Sequence, residues 1–375
     1  MVVLDAFPNA LVDAELTPTL HRLAEEGGRS RAGGVAETTA ATYPNHATFV
    51  TGRPTVDHGV ITNKVLRGGL WVDAAKVGPA VPTLFDACRA EGRSSVAVVG
   101  DQNLVGVCGA RTADVHWPPQ GVVPDGTPRS ASGYLPDDEV IRVLGETDLD
   151  VDFVFVQIDE VDGARHRFGA WSDEASEQCH RTDAALGRLV EQLRPRWDDT
   201  VLVVLSDHDQ EDVGRADPAD FAGHLPDGVE VCHQGTASLL VGPMTDADLL
   251  ALPGVVGATS LDEAHHVVWG APGQVFGAAY GRGDHGSPRT ATQLALVGGG
   301  HPAAIGLADR ISTARPPATR WAGEACELLG LTWRPGAPIV DLTDRTVRTG
   351  VSSEPDPPAV AVGDAPGGMA GGTVV

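Results

Sequence analysis

Short runs of aliphatic and β-branched residues, each broken off by an acid or a glycine, recur along the chain. They are Val2-Val3-Leu4 before Asp5, Val96-Ala97-Val98-Val99 before Gly100-Asp101, Phe153 to Ile158 before Asp159, and Val201 to Leu205 before Ser206-Asp207. Strands buried on both faces need continuous apolar runs of this length, so the pattern predicts a parallel sheet covered on both sides. The segments between them carry helical spacing with readable ends. Thr17-Pro18 opens one helix that Gly27 closes, Pro82 opens another that Gly92 closes, and a longer helix runs from Ser172 to about Leu193, stopped by Pro195. Strand and helix alternate, which predicts an α/β fold: a doubly wound, mostly parallel sheet flanked by helices.

Residues 233–282 break this alternation. They hold their own apolar runs, Thr236 to Val241 and Val267 to Trp269, and a helical stretch near Thr245 to Leu252, and are predicted to form a small inserted α+β subdomain. The catalytic frame is then 1–232 and 283–350. Residues 351–375, rich in Pro, Gly and Ala, have little apolar content to anchor them and are predicted to be a disordered tail. Ligands of open α/β sheets bind beyond the carboxyl ends of the strands, where Asp5, Asp159, Asp162 and Asp207 are predicted to emerge.

With 375 residues and 42% hydrophobic content, the chain can bury a large core. Its formal charge is −24 and its only lysines are Lys64 and Lys76, so the surface repels polyanions, arguing against nucleic acid and acidic membranes as partners. A small anionic substrate is still admissible where bound cations supply local positive charge. The five cysteines (Cys88, Cys108, Cys179, Cys232, Cys326) are widely spaced without a C-x-x-C, so neither a disulfide framework nor a thiolate zinc site is expected. No apolar run reaches the length of a membrane span, and Asp5 interrupts the first hydrophobic stretch, so a cytoplasmic location is expected.

The segment Thr42-Tyr43-Pro44-Asn45-His46 carries the first chemical signal. Pro44 favours the first turn of a helix, which sets Thr42 at its N-terminus, where free N–H groups and the dipole attract an anion. A lone Thr there is an ordinary cap. Hard-oxygen and imidazole groups elsewhere change the picture: Asp162 and His166 four residues apart, Asp207-His208 at a strand end, and His285 between glycines in Gly283-Asp284-His285-Gly286. Nitrogen and oxygen ligands without sulfur suit zinc or a similar divalent ion in a catalytic site.

These segments together resemble the type I phosphodiesterase/nucleotide pyrophosphatase family of the alkaline phosphatase superfamily. The matching stretches are Thr42 to His46, Thr51-Gly52, His58-Gly59 and Asn63, then Asp162 to His166 with Gly169, Ser206-Asp207-His208, and His285-Gly286, in the family's order. The resemblance implies two divalent metal ions per chain, zinc first with manganese or iron as alternatives. One would be held by Asp162, His166 and His285, the other by Asp5, Asp207, His208 and the Thr42 oxygen. It further implies that Thr42 is the nucleophile, that a phosphothreonine forms and is hydrolysed, and that Asn63 and the Tyr43 N–H hold phosphoryl oxygens. The expected substrate is a small phosphodiester or pyrophosphate.

Three positions depart from the family's pattern: Asp209 stands where a Gly is usual, Val161 replaces a Pro, and Arg165 replaces the Gly before His166. Asp209, followed by Gln210, Glu211 and Asp212, either alters a backbone turn or faces the substrate, repelling an anion or meeting a cationic leaving group; Lys64, next to Asn63, reads first as an exposed loop lysine and second as a contact to a substrate carboxylate or second phosphate. Asp101, His116, Trp117 and Arg53 are further candidates for the pocket wall, whereas His265-His266 is expected to be surface polar. Rival readings are a phosphonate hydrolase, which the scarcity of Lys disfavours, a phosphomonoesterase, a phosphomutase, and a metal-binding protein without catalysis.

Overall fold

The computed structural model describes residues 1–214, 221–277 and 280–337, with the backbone of 339–340 and 347–348. The tail assigned to 351–375 lies outside the described residues. Strands β1 (Val2–Leu4), β2 (Gly28–Arg29), β3 (Ser95–Val99), β4 (Val115–Trp117), β5 (Phe153–Ile158), β6 (Leu202–Leu205), β7 (Glu230–Gln234), β8 (Ala237–Val241), β9 (Gly257–Ser260), β10 (His265–Trp269) and β11 (Ala295–Gly298) build two sheets. The large one has seven strands in the order β2-β11-β6-β1-β5-β3-β4. Its centre is parallel, as the apolar runs predict, but β11 runs antiparallel to both β6 and β2. Ala295–Gly298 is too short an apolar run to reveal strand direction, which the chain's return path decides.

Alternate residues of the central strands enter different cores. Val3 packs with Phe49, Phe85, Phe155 and Trp321 on one face, while Val2 and Leu4 pack with Leu20, Leu144, Ile158 and Leu186 on the other. Helices α1 (Pro18–Glu26), α2 (Thr42–Thr51), α3 (Asp137–Glu146), α4 (Glu160–Phe168) and α5 (Asp173–Leu193) supply much of the cover. The expected ends of α1 and α5 are found: Gly27 closes the first, and the Ser172 hydroxyl accepts from the Ala175 N–H at 3.1 Å to open the second.

The parallel register sets the site. Val3 lies opposite both Gln157 of β5 and Leu205 of β6. Two residues further on, the same register lines up Asp159, Asp5 and Asp207 in a row across three strand ends.

Strands β7, β8, β10 and β9, in that order, form a separate antiparallel sheet. It begins at Glu230, ahead of the expected boundary at 233, because Glu230 pairs with Val241. Contrary to expectation for the His265-His266 pair, His266 is buried, bonding the Ser260 hydroxyl and the Gly242 carbonyl, while His265 bonds Asp262. Among the described residues, no helix is long and apolar enough to cross a membrane.

Helix α4, which carries Asp162 and His166, is fixed to α3 by a reciprocal cap. The Glu160 carboxylate accepts from the Asp137 N–H at 2.8 Å, and the Asp137 carboxylate accepts from the Glu160 N–H at 3.1 Å. Thr182 of α5 donates its hydroxyl to the same Asp137 carboxylate. Burial, then the nearby Glu160 charge, push the Asp137 carboxyl up to about 7. A folded-state pKa above the unfolded value means that this group favours folding at low pH and loses that contribution as pH rises through about 7. Asp137→Asn cannot ionise. Urea unfolding from pH 4.5 to 7.5 should therefore show wild-type stability falling relative to Asp137→Asn as pH increases, and a pH-independent difference would count against this assignment.

Candidate active site and metal centre

Thr42 is the first residue of α2, behind extended Ala41. The helix is buried along its length, and His46 ties its start to the sheet: the imidazole Nδ1 lies 2.9 Å from the Thr42 carbonyl and 3.4 Å from Asp207. The Thr42 hydroxyl is 3.3 Å from His208 Nε2. Beside it, the Tyr43 N–H meets Asn63 Oδ1 at 3.2 Å, so both groups expected to hold phosphoryl oxygens converge next to Thr42. The Tyr43 side chain is buried and bonds toward Asn103 and Asp101, leaving its backbone as the part near the site.

Asp5, Asp207 and His208 present ligand atoms all within 4.8 Å of one another. Asp162 and His285 share a second such cluster with His208, and His166 and His285 a third with Asp284. Asp162 and His166 sit one helical turn apart on α4, 3.4 Å from each other. The loop bearing His285 reaches the site because Ala40 and Gly286 pair as a β-bridge, and because Gly281 lacks a Cβ that would fall 2.0 Å from the His166 carbonyl.

The three imidazoles share one arrangement. Nδ1 of His166 lies 2.8 Å from the Gly283 carbonyl, Nδ1 of His208 3.1 Å from the Asp209 carbonyl, and Nδ1 of His285 3.1 Å from the Ala40 carbonyl. A carbonyl only accepts, so each Nδ1 carries a hydrogen, which leaves Nε2 as the nitrogen through which each neutral imidazole would bind a metal. Burial, and then His208 and His166, hold His285 well below the usual imidazole range.

The acids supply the complementary half. Asp5 Oδ1 and Asp207 Oδ2 are buried oxygens without a hydrogen-bond partner, and they lie 3.7 and 3.4 Å from His208 Nε2. Burial pushes Asp5 well above the carboxylate range, and the Asp207, Asp162 and Asp159 charges push it further. Burial would raise Asp207 too, but His208 and His46 outweigh it and hold that carboxyl at about 2. Orphaned buried oxygens facing an imidazole Nε2, with no sulfur among them, fit hard or borderline divalent cations.

Residues without a sequence motif complete the site. Gln157, fully buried on β5, donates to Asp5 at 2.9 Å and Asp159 at 3.2 Å, while its oxygen accepts from the Gly100 and Asp101 N–H groups. Gln210 donates to an Asp162 oxygen at 2.6 Å. Asp284, beside His285 in the same short motif, joins His166 and His285 in the third cluster.

The run after His208 is not a free acidic patch. Asp209 pairs with buried Arg165 at 2.7 Å, Glu211 takes Arg289, and Asp212 accepts from the Ala170 N–H at 2.6 Å. Lys64 is exposed at the start of a hairpin strand and makes no ion pair among the described residues. Arg53 pairs with Asp57 beyond the far end of α2, about 15 Å of helix from Thr42, so it does not join the site. His116 and Trp117 lie on edge strand β4, and Asp101 is buried beneath Tyr43.

A mixed sheet with a parallel centre, helices on both faces and a carboxylate-imidazole cluster at the strand ends define an alkaline phosphatase-like α/β protein. The chain is similar in structure to murine ectonucleotide pyrophosphatase/phosphodiesterase 5, an inactive variant in complex with AMP, with a TM-score of 0.67 at 15% identity over 92% of this chain and 98% of that one. It is also similar to phosphonoacetate hydrolase from Sinorhizobium meliloti 1021 in complex with phosphonoacetate, with a TM-score of 0.65 at 17% identity over 88% and 94%. Venom phosphodiesterase of Macrovipera lebetinus is 30% identical over 183 residues, which are 46% of this chain and 20% of that protein's length. Residues 1–246 match the family described as type I phosphodiesterase / nucleotide pyrophosphatase, and the chain belongs to that family.

Gln157→Leu keeps the volume and removes four hydrogen bonds, leaving two acids and two N–H groups without this partner. At about 1 kcal/mol each, the expected loss is about 4 kcal/mol in denaturant unfolding, together with weaker metal retention on dialysis. Unchanged stability and retention would refute its place as the brace of Asp5.

Proposed function

We propose that the protein hydrolyses phosphodiester or pyrophosphate bonds of small substrates through a phosphothreonine on Thr42, with two divalent ions, zinc foremost. The observation that carries this reading is the convergence of three Nδ1-anchored imidazoles and two orphaned carboxylate oxygens at the N-terminus of α2, in front of the Thr42 hydroxyl. Asp5, Asp207, His208 and Thr42 would hold one ion, and Asp162, His166 and His285 the other, with Asp284 behind the second. When bound, the ions lower the pKa of the Thr42 hydroxyl and offset charge on the phosphoryl oxygens.

The chain's own groups supply positioning. The Tyr43 N–H and the Asn63 side-chain amide hold phosphoryl oxygens, and the helix start favours their negative charge. Thr42 Oγ1 attacks phosphorus in line and the bond to the leaving oxygen breaks. Water then cleaves the phosphothreonine, releasing the phosphoryl product and returning the Thr42 hydroxyl.

One observation favours a phosphonate hydrolase as second reading: Lys64, adjacent to Asn63, has no ion-pair partner among the described residues, so its ammonium is available to a substrate carboxylate. Five free, buried cysteines support a reducing, cytoplasmic setting.

A substrate panel of monoester, diester, pyrophosphate and phosphonoacetate, with zinc or manganese, separates these readings. Diester or pyrophosphate turnover should dominate, vanish on chelation and return with metal. Thr42→Ala should lower it at least about a thousandfold while leaving zinc uptake largely intact. Full-rate turnover by Thr42→Ala, or titration that never exceeds one ion per chain, would sink the mechanism.

A further inference from the structure

Arg165 and Asp209, distant in the chain, form one structural unit. Arg165, between Asp162 and His166 on α4, is completely buried, with a side-chain exposure of 0%. Its guanidinium serves four acceptors: Nε donates to the Ala170 carbonyl at 3.0 Å, Nη1 to the Ala6 carbonyl at 2.5 Å, and Nη2 to the Gln210 carbonyl at 3.2 Å and to Asp209 Oδ1 at 2.7 Å. The Trp171 ring lies 5.3 Å from the guanidinium carbon. All of these partners belong to the protein, and four of the five N–H groups are engaged, so Arg165 is not poised to bind substrate.

Three of the four acceptors share a position in the chain, directly after proposed ligands. Ala6 directly follows Asp5, and Asp209 and Gln210 directly follow Asp207-His208. Ala6 is held in the left-handed region at φ 51°, unusual for a residue with a Cβ. Its peptide groups are pinned on both sides, the N–H on Asp207 at 3.0 Å and the carbonyl on Arg165. Asp209 also acts through its backbone, because its carbonyl fixes Nδ1 of His208 and so directs Nε2 toward Asp5 and Asp207.

We propose that Arg165 and Asp209 are a positioning pair that sets both metal sites at once. The planar fan of Arg165 locks α4, the turn after β1 and the turn after β6 into one geometry, and Asp209 neutralises a cation that would otherwise repel the ions. Lys could not replace Arg here, since one ammonium cannot reach acceptors spread around a plane. The inference rests on the two-metal reading above.

The test measures zinc affinity directly, by competition with a chromophoric chelator, on the full chain and on Arg165→Met, Asp209→Asn and the double variant, with circular dichroism and metal-free melting as folding controls. Each single variant should bind zinc 10- to 100-fold more weakly, the usual effect of removing a group that orients a metal ligand. The double variant should bind no more weakly than the worse single one, because the two residues act as one unit. Single variants that melt earlier yet bind zinc as the wild type does would reduce the pair to ordinary structural support and overturn the proposal, as would losses that multiply in the double variant. If Arg165→Met does not fold, Asp209→Asn alone decides by the same criterion. Wild-type protein that takes up no zinc would overturn the two-metal reading itself. Wild-type uptake of two ions with unaffected variants would overturn only the pair.

Discussion

Asp159, Asp5 and Asp207 end three adjacent parallel strands in register, and Asp162 follows one turn into the next helix. Burying that much like charge is unfavourable, and the rise of the Asp5 and Asp159 carboxyls, caused first by burial and then by the neighbouring acids, is its direct consequence. The surrounding structure answers this constraint. Gln157 donates to two of the acids, Gln210 to a third, His46 and His208 flank the fourth, and the bare oxygens of Asp5 and Asp207 face Nε2 of His208. Cations bound there would complete the balance, and three groups of these acids and imidazoles bring their ligand atoms within 4.8 Å of one another.

The fold delivers these groups by two routes. Strand register does the first, because parallel strands of matched length must end together, and whatever follows them is carried to the same rim. Backbone pairing between distant segments does the second: the Ala40–Gly286 bridge brings His285 against the start of α2, and the His166 carbonyl receives the 281–283 segment. The same contacts orient the imidazoles, since the carbonyls that pin them belong to Ala40, Asp209 and Gly283. Orientation of the ligands is thus a product of the backbone path as much as of the side chains.

Lines of hydrogen-bond donors behind the ligands give the site its individuality. Behind the candidate ligands Asp162, His166, Asp207 and His208, Arg165 and Asp209 form an ion pair that links α4 to the turn after β6. Their pairing also changes the meaning of the acidic run after His208. Asp209, Glu211 and Asp212 are each bound to a cation or an N–H of the frame, so the substrate's far side does not face a row of free carboxylates.

Much of this was legible from the chain alone. Apolar runs ending in Asp marked the parallel strands and the rim where their ends meet, Pro and Gly marked the ends of α1 and α5, and the motifs of Thr42, Asp162/His166, Asp207-His208 and His285 marked side chains that the fold brings together, because periodicity and short motifs are local properties. The antiparallel direction of β11, the start of the second sheet at Glu230, the burial of His266, the braces Gln157 and Gln210, and the union of Arg165 with Asp209 were not legible. Each depends on which distant segment arrives alongside, and a glutamine or an arginine in sequence carries no sign of the carbonyls it will meet. The sequence by itself determined which residues are candidates to bind metal and attack phosphorus. Only the tertiary structure decided how they are aimed, because aim is set by backbone carbonyls and partners far away along the chain.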